Sequence, residues 1–333
     1  MLTLGIETSC DESSVAVVLD GRQILANVIH SQTDHSKFGG VVPEVAGRVH
    51  LRKIVPVYRQ ALSEAGVSLD DVDLIAATMG PGLIGPLLVG LTFAKGLAFA
   101  AGKHFIGVHH IEGHVAANLL EHPDLQANHL TLIVSGGHTM LVEVRRFGSY
   151  EILGATRDDA LGEAFDKVAK LMGLGYPGGA RLDRLAQQGD PKYHRFPRAL
   201  LKEGYQFSYS GLKTAVALFL AKLSEAEFGR HKADIAASFQ EAAVSVVVEK
   251  TVRAALERDL HDVSISGGVA ANSRLRVLLA ERLSAIKRRL FYPSVELCTD
   301  NAAMIAAAGF YRYQEEGPGE LAINAVPYLR LGE

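Results

Sequence analysis

The sequence predicts an α/β chain of two similar lobes, each a mixed sheet flanked by helices. Two observations carry this. Strand patterns occur as two three-stranded meanders, at 2–32 and 129–156, and each is followed by helices alternating with single strands. That order covers a sheet with helices on its faces. The 333 residues, 48% of them hydrophobic, suffice for two domains of ordinary size. The repeated order reads as a duplication. Expected boundaries are 1–127 plus 302–333 for the N-terminal lobe and 128–301 for the C-terminal lobe.

In the first unit, "LTLGIETS" (2–9), "SVAVVLD" (14–20) and "QILANVIHSQ" (23–32) alternate as strands joined by short turns. "PEVAGRVHLRKIVPVYRQALSEAG" (43–66) has helical spacing, with an interruption expected near Pro56. "DLIAATMG" (73–80) reads as a strand, followed by a helix after Gly82 and the strand "HFIGVHH" (104–110). Residues 74–94 carry no charge, but Gly80, Pro81, Gly82, Gly85, Pro86 and Gly90 break a spanning helix. A buried strand, a turn and a buried helix are expected there, and no membrane.

In the second unit, "HLTLIVSGG" (129–137), "HTMLVEVRRF" (138–147) and "SYEILGAT" (149–156) form the meander. Helices are expected over "DDALGEAFDKVAKLMGL" (158–174), "SGLKTAVALFLAKL" (210–223) and the stretch from Ala233 to Leu260. A strand at 262–268, a helix at 269–285, a strand at 289–297 and a last helix at 301–316 complete the chain.

Net charge is −3, so bulk charge does not advertise nucleic acid. An RNA partner must be met by local clusters such as Lys287-Arg288-Arg289, whose plainer reading is a solvated helix end, or by partner proteins. Cys10 and Cys298 make no disulfide framework and fit a reducing cytoplasm. "MLTLGIETSC" lacks a basic region and a long apolar run, so no signal peptide is expected.

"GVHHIEGHVAANLL" (107–120) carries His110 and His114, about 40° apart on one helical face. A protease of the H-E-x-x-H type places its Glu directly after the first His, about 80° from the midline of the pair. Here Glu112 falls about 180° away and cannot easily activate a metal-bound water. Two ligands are not a site, and capping or surface histidines remain open. "ELCTDNAAMIAAAG" (296–309) puts Asp300 between a strand and a helix, as N-cap or as third ligand. A two-histidine, one-carboxylate set leaves open positions and suits iron(II) or zinc.

Each meander opens on a polar or glycine turn: "ETSCDESS" (7–14) and "VSGGHT" (134–139). Such turns offer backbone N–H groups to phosphates. Glu7, Asp11 and Glu12 would repel a bare phosphate, so a metal, an amine or proton handling is implied, unless this is an acidic hairpin tip. "SISGGVAANSRL" (264–275) is a strand, a Gly-Gly turn and a helix start, with Asn272 as ligand contact or early helix residue. "GEAFDKVAKLMGLGYPGGARLDRLA" (162–186) places Asp166 and Asp183 to hold ribose hydroxyls. Its plainer reading pairs Asp166 with Lys170 on a solvated face.

"GIETSCDES", "GGVVPE", "GPGLIGPLLVG", "HHIEGH", "VSGGHT", "GEAFDKVAK", "YPGG", "FSYSGLKT", "SGGVAAN" and "CTDNAAMIA" run in unbroken order from residue 2 to about 310. Together they closely resemble the bacterial tRNA N6-adenosine threonylcarbamoyltransferase (TsaD) family, formerly called O-sialoglycoprotein endopeptidases. The resemblance implies the two-lobed actin-like ATPase fold shared with heat-shock-70 and sugar kinases. It implies transfer of a threonylcarbamoyl group from threonylcarbamoyl-adenylate to N6 of adenosine 37 in tRNAs reading codons that begin with A, releasing AMP.

Carried onto this chain, the resemblance makes His110, His114 and Asp300 ligands of one divalent ion, iron(II) favoured over zinc. It maps an adenine nucleotide or adenylate pocket to Ile133, Val134, Ser135, Gly136, Gly137, Asp166, Gly179, Asp183 and Asn272. Asp11 and Glu12 match acidic residues near the reacting carbonyl. Ile133 stands where the archaeal and eukaryotic branch has a metal-binding Tyr, which favours the bacterial type. The implied partners are tRNA, a smaller inactive paralogue (TsaB type) and a P-loop ATPase (TsaE type), with a homodimer when alone. A kinase-like enzyme, a non-catalytic nucleotide-binding scaffold and a metallo-endopeptidase are the rival readings.

Overall fold

A computed structural model describes residues 1–32, 35 and 40–332; Gly39, which opens the "GGVVPE" motif, lies outside the described residues. Close contacts group the chain into two units. One comprises Met1–Leu125, Arg146–Tyr150 and Pro293–Glu333, the other Gln126–Arg145 and Glu151–Tyr292. This division differs from the expected boundaries chiefly at residues 293–301, which pack in the first unit together with residues 302–333.

The first unit holds strands β1 (Leu2–Glu7), β2 (Glu12–Leu19), β3 (Gln23–Ser31), β4 (Leu74–Gly80) and β5 (His104–His109), ordered β3-β2-β1-β4-β5. The meander pairs antiparallel, and β4 and β5 add parallel to it. Central β1 is buried along its whole length, whereas β3 at the edge is half exposed. Its helices are α1 (Pro43–Ala65), α2 (Ile84–Ala101), α3 (His110–Glu121), the one-turn α9 (Val295–Cys298) and α10 (Ala302–Glu316). The alanine-rich α10 lies so close to β1 that a Cβ on Gly5 would meet the Ala302 carbonyl at 2.2 Å. Glycine is required there by that close approach.

The expected interruption of α1 does not occur: the helix runs through Pro56. Pro56 and Arg52, whose carbonyl loses its donor, are both exposed, so water can satisfy the orphan group. α2 is, among the described residues, the one helix long and apolar enough to cross a membrane by length and composition. Leu87, Leu91, Ala94 and Ala98 bury one of its faces in the unit's core, but only 33% of the helix is buried, so it is not the fully buried helix expected.

The second unit repeats the plan. Strands β6 (His129–Val134), β7 (Thr139–Arg146), β8 (Ser149–Ala155), β9 (Asp262–Ser266) and β10 (Arg289–Phe291) are ordered β10-β9-β6-β7-β8. Again the first meander strand pairs antiparallel with the second and parallel with the strand that follows the helices. Helices α4 (Leu161–Leu171), α5 (Gly179–Ala186), α6 (Ser210–Leu220), α7 (Glu225–Glu257) and α8 (Ser273–Ala285) accompany this sheet.

Two details depart from expectation, and a third meets the plainer of two readings. A 3-10 turn at Gly268–Ala271 precedes α8, which starts at Ser273 and not at 269. The strand expected to reach 297 stops at Phe291; Pro293 lacks a ladder donor and the chain then turns into α9. The Lys287-Arg288-Arg289 cluster is largely neutralised, with Arg288 on Asp259 at 2.7 Å and Arg289 on Asp262 at 2.7 Å. It is structural, which fits its plainer reading.

Candidate metal centre and substrate site

The parallel strand β5 ends at His109, and the chain turns directly into α3. The His109 side chain accepts from the Ile111 N–H at 3.1 Å and so serves as N-cap. With the cap supplied, His110 and His114 are released from that duty, and both are buried. The readings as surface or capping histidines are thereby removed. Glu112 points elsewhere, as its angle predicts: Arg312 stands 3.5 Å from it.

Asp300 reaches the histidines from the loop before α10. Its Oδ1 lies 3.5 Å from His110 Nε2 and 3.3 Å from His114 Nε2. One ligand atom from each of the three residues falls within 4.8 Å of the others. The N-cap of α10 is Asn301, which accepts from the Met304 N–H at 3.1 Å, so Asp300 is not spent on capping. Among the described residues neither ring nitrogen of the buried His114 makes a hydrogen bond, and Nε2 has only the 3.3 Å approach of Asp300. A buried imidazole so left is costly unless a ligand takes its lone pair.

Glu7, read from the sequence only as one of three acids around its turn, completes this cluster. It is fully buried at the end of β1 and accepts from the Thr78 hydroxyl at 2.6 Å and from the Ser9 N–H. Its Oε2 stands 3.1 Å from His110 Nδ1. A proton on Nδ1 directed at this carboxylate orients the ring and turns Nε2 toward the position a metal would take. The signal for Glu7 in the sequence was a carboxylate at a strand end with inward-facing register.

The electrostatics also ask for a cation. Burial alone would push the His110 imidazole down, but Asp300 and Glu7 overrule it and raise it to about 9. Burial, then Asp300 and Asp11, push the Glu12 carboxyl up to about 10, and Glu12 hydrogen-bonds Asp11. Glu12 therefore keeps its proton at neutral pH, while the Glu7 and Asp300 carboxylates bring negative charge to the two histidines. The donor set fits one divalent ion held by His110, His114 and Asp300.

In the second unit, Ile133 and Val134 are fully buried in β6, so their side chains belong to the core. The exposed part of the turn is Gly136-Gly137. The Ser135 N–H is already taken by the His138 carbonyl at 2.8 Å. Neither Gly136 nor Gly137 has a positive φ, and a Cβ added to either would meet nothing within 4 Å. Packing and backbone conformation do not demand glycine there, and its bareness leaves room for a ligand.

Asp166 on α4 accepts the N–H groups of Gly178 and Gly179 at 2.8 and 3.0 Å. It does not pair with Lys170, so that plainer reading is corrected. Asp183 on α5 accepts from the Ser273 N–H at 3.1 Å and its hydroxyl at 2.7 Å. Asn272 caps α8 through the Leu275 N–H at 2.9 Å and donates to Gln240 at 2.9 Å. The predicted pocket residues Asp166, Gly179, Asp183 and Asn272 are therefore joined through the starts of α5 and α8.

The fold is the actin-like ATPase fold. HypF of T. kodakarensis superposes with a TM-score of 0.65 at 16% identity, covering 94% of this chain and 48% of that one. Component A of the Acidaminococcus fermentans (R)-2-hydroxyglutaryl-CoA dehydratase gives 0.59 at 17% identity, covering 95% and 98%. Sequence comparison is more specific. Residues 23–307 match the family tRNA N6-adenosine threonylcarbamoyltransferase, TsaD. Proteins of that name from Caldicellulosiruptor saccharolyticus and Clostridium beijerinckii are 49% and 50% identical, over 99% and 100% of this chain and 98% of each relative. The chain belongs to the tRNA N6-adenosine threonylcarbamoyltransferase family, and is a transferase of that type.

Proposed function

We propose that this chain transfers the threonylcarbamoyl group of threonylcarbamoyl-adenylate to N6 of adenosine 37 in tRNA, using the cluster at His110, His114 and Asp300. The carrying observation is the convergence of these three ligand atoms, with the His114 nitrogens making no hydrogen bond among the described residues. In the reaction N6 attacks the carbamoyl carbon, the bond from that carbon to the phosphate oxygen breaks, AMP leaves and N6 gives up a proton. An ion held by the three residues, iron(II) in preference to zinc, would act as a Lewis acid on the adenylate's oxygens. The Gly136 and Gly137 N–H groups receive adenylate oxygens, and Asp166, Gly179, Asp183 and Asn272 shape the nucleotide pocket. Asp11 orients the N6 amine and takes its proton, with Glu12 as its hydrogen-bonded companion.

The implied partners fit the first unit. Leu51 and Val55 on α1, and Ile84, Leu88 and Phe99 on α2, are exposed apolar side chains on two helices that pack together. A smaller paralogue with apolar helices would cover them, and a P-loop ATPase would act on that assembly in the cytoplasm. Reconstitution with threonylcarbamoyl-adenylate, unmodified tRNA and the two partners tests the reading by nucleoside mass analysis. The modified nucleoside is expected with metal-loaded protein. Its absence under those conditions, or movement of a labelled γ-phosphate to an acceptor, would overturn it in favour of another reaction of this fold.

A further inference from the structure

The turn bearing Asp11 and Glu12 is held from behind by one side chain of α1. His50 lies on the inner face of that helix and is fully buried. Its Nε2 stands 3.0 Å from the Cys10 carbonyl, and its Nδ1 stands 2.7 Å from the Ser13 hydroxyl. A carbonyl only accepts, so the Nε2 proton donates to Cys10 and Nδ1 accepts from Ser13. One imidazole thus grips the backbone just before Asp11 and the side chain just after Glu12. Burial pushes the His50 imidazole below its ordinary value, in keeping with this neutral tautomer.

The clasp continues along α1 and β3. The Gln32 N–H donates to the Asp11 carbonyl at 3.1 Å. The Gln32 amide nitrogen donates to the Ala46 carbonyl of α1 at 3.4 Å, and its oxygen accepts from His35 at 3.0 Å. Gln32 and His35 are both buried. The outer side of the same helix carries the exposed Leu51 and Val55. A shift of α1 therefore moves the carbonyl neighbour of Asp11 directly, without an intervening flexible loop.

We propose that His50 is a positioning residue, through which helix α1 sets the placement of the Asp11 and Glu12 carboxylates. This rests on the reading of those two acids in transfer. His50 touches no reacting atom; it fixes the backbone on which they sit. Misplacing an acid by an ångström can cost on the order of 10²-fold in rate while leaving ligand contacts elsewhere intact.

The test is single-turnover transfer from preformed threonylcarbamoyl-adenylate to tRNA in the assembled complex. His50→Ala is expected to lower the transfer rate by about 10- to 10²-fold, with adenylate and tRNA affinities nearly unchanged. His50→Gln, which retains a donor for the Cys10 carbonyl, is expected to recover part of the loss, and Ser13→Ala guards against His50→Ala failing to fold. The decisive measurement is a double-mutant cycle with Asp11→Asn. A positioning residue loses its effect once the carboxylate is gone, so the double variant should transfer at about the Asp11→Asn rate. Wild-type rates in the His50 and Ser13 variants, or fully multiplicative losses in the cycle, would overturn the proposal. If Asp11→Asn and Glu12→Gln both transfer normally, the reading of the acids fails instead, and the inference with it.

Discussion

Glu7 Oε2 stands 3.1 Å from His110 Nδ1, and the opposite nitrogen of the same ring faces Asp300 at 3.5 Å. A buried carboxylate therefore orients an imidazole whose Nε2 faces the proposed metal position, where a bound ion would take the place of the proton. Loss of such an outer partner lowers metal affinity by about 10- to 100-fold. Glu7→Gln should show that loss in competition with a chelator while still retaining metal at excess. His110→Ala, His114→Ala and Asp300→Ala should each lose stoichiometric metal on dialysis. Full metal content in all three would remove the assignment, and unchanged affinity in Glu7→Gln would confine Glu7 to a packing role.

Legibility in the sequence followed the range of the interactions. The two meanders and the alternating helices were readable because period-two and helical spacing are local, and the paired histidines needed only the geometry of one helix. Residues whose role depends on distant partners were not readable. Glu7 meets Thr78 and His110, far along the chain. Asp166 found Gly178 and Gly179 where a helical neighbour was a reasonable guess. Pro56 misled because propensity says nothing about which side of α1 faces water, and Asp300 stayed open between cap and ligand because only the structure shows Asn301 next to it taking the cap.

Lys250 supplies a stability prediction. Its side chain is fully buried, and Nζ donates to the carbonyls of Glu203, Gly204 and Gln206 at 2.7, 3.1 and 2.8 Å. Three donors meet three acceptors, with no carboxylate within ion-pair distance among the described residues. Lys250→Met keeps the stem's volume but leaves the carbonyls to water or unpaired. Because Glu203 and Gly204 are exposed residues, the cost should stay near ~2 kcal/mol. Urea unfolding at neutral pH measures it, and an unchanged midpoint would show that the carbonyls find other donors.

Acid should loosen the start of α6 through Asp158. Burial works to raise this carboxyl, but bonds from the Ser208 hydroxyl, the Tyr209 N–H and Ser210 overrule it and hold it below the ordinary 3.8. A carboxyl depressed in the folded state stabilises fully above its unfolded value, and that share is lost as pH falls through the folded value. Wild type should thus exceed Asp158→Asn in stability at neutral pH, with the gap closing below about pH 3.8. Unfolding curves across pH 2–7 read this directly. A gap that is constant with pH would assign the difference to shape and not to charge.

The exposed apolar residues of α1 and α2 give the last prediction. Leu51 is 67% exposed, Leu88 47% and Phe99 79%, on helices whose opposite faces build the core of the first unit. A protein surface seldom presents such side chains together unless something covers them. A charge placed in the centre of an interface must be buried without a partner, which costs several kcal/mol, whereas on a free surface it costs little. Leu51→Asp and Leu88→Asp should therefore fold normally and melt within a few degrees of wild type, while their affinity for the smaller paralogue falls by about 10²-fold or more. Titration by calorimetry, with circular dichroism as the control for folding, measures both quantities. Wild-type affinity in both variants would move the docking surface off α1 and α2. It would also leave the His50 clasp without a partner to drive it, although its hold on the acidic turn would stand.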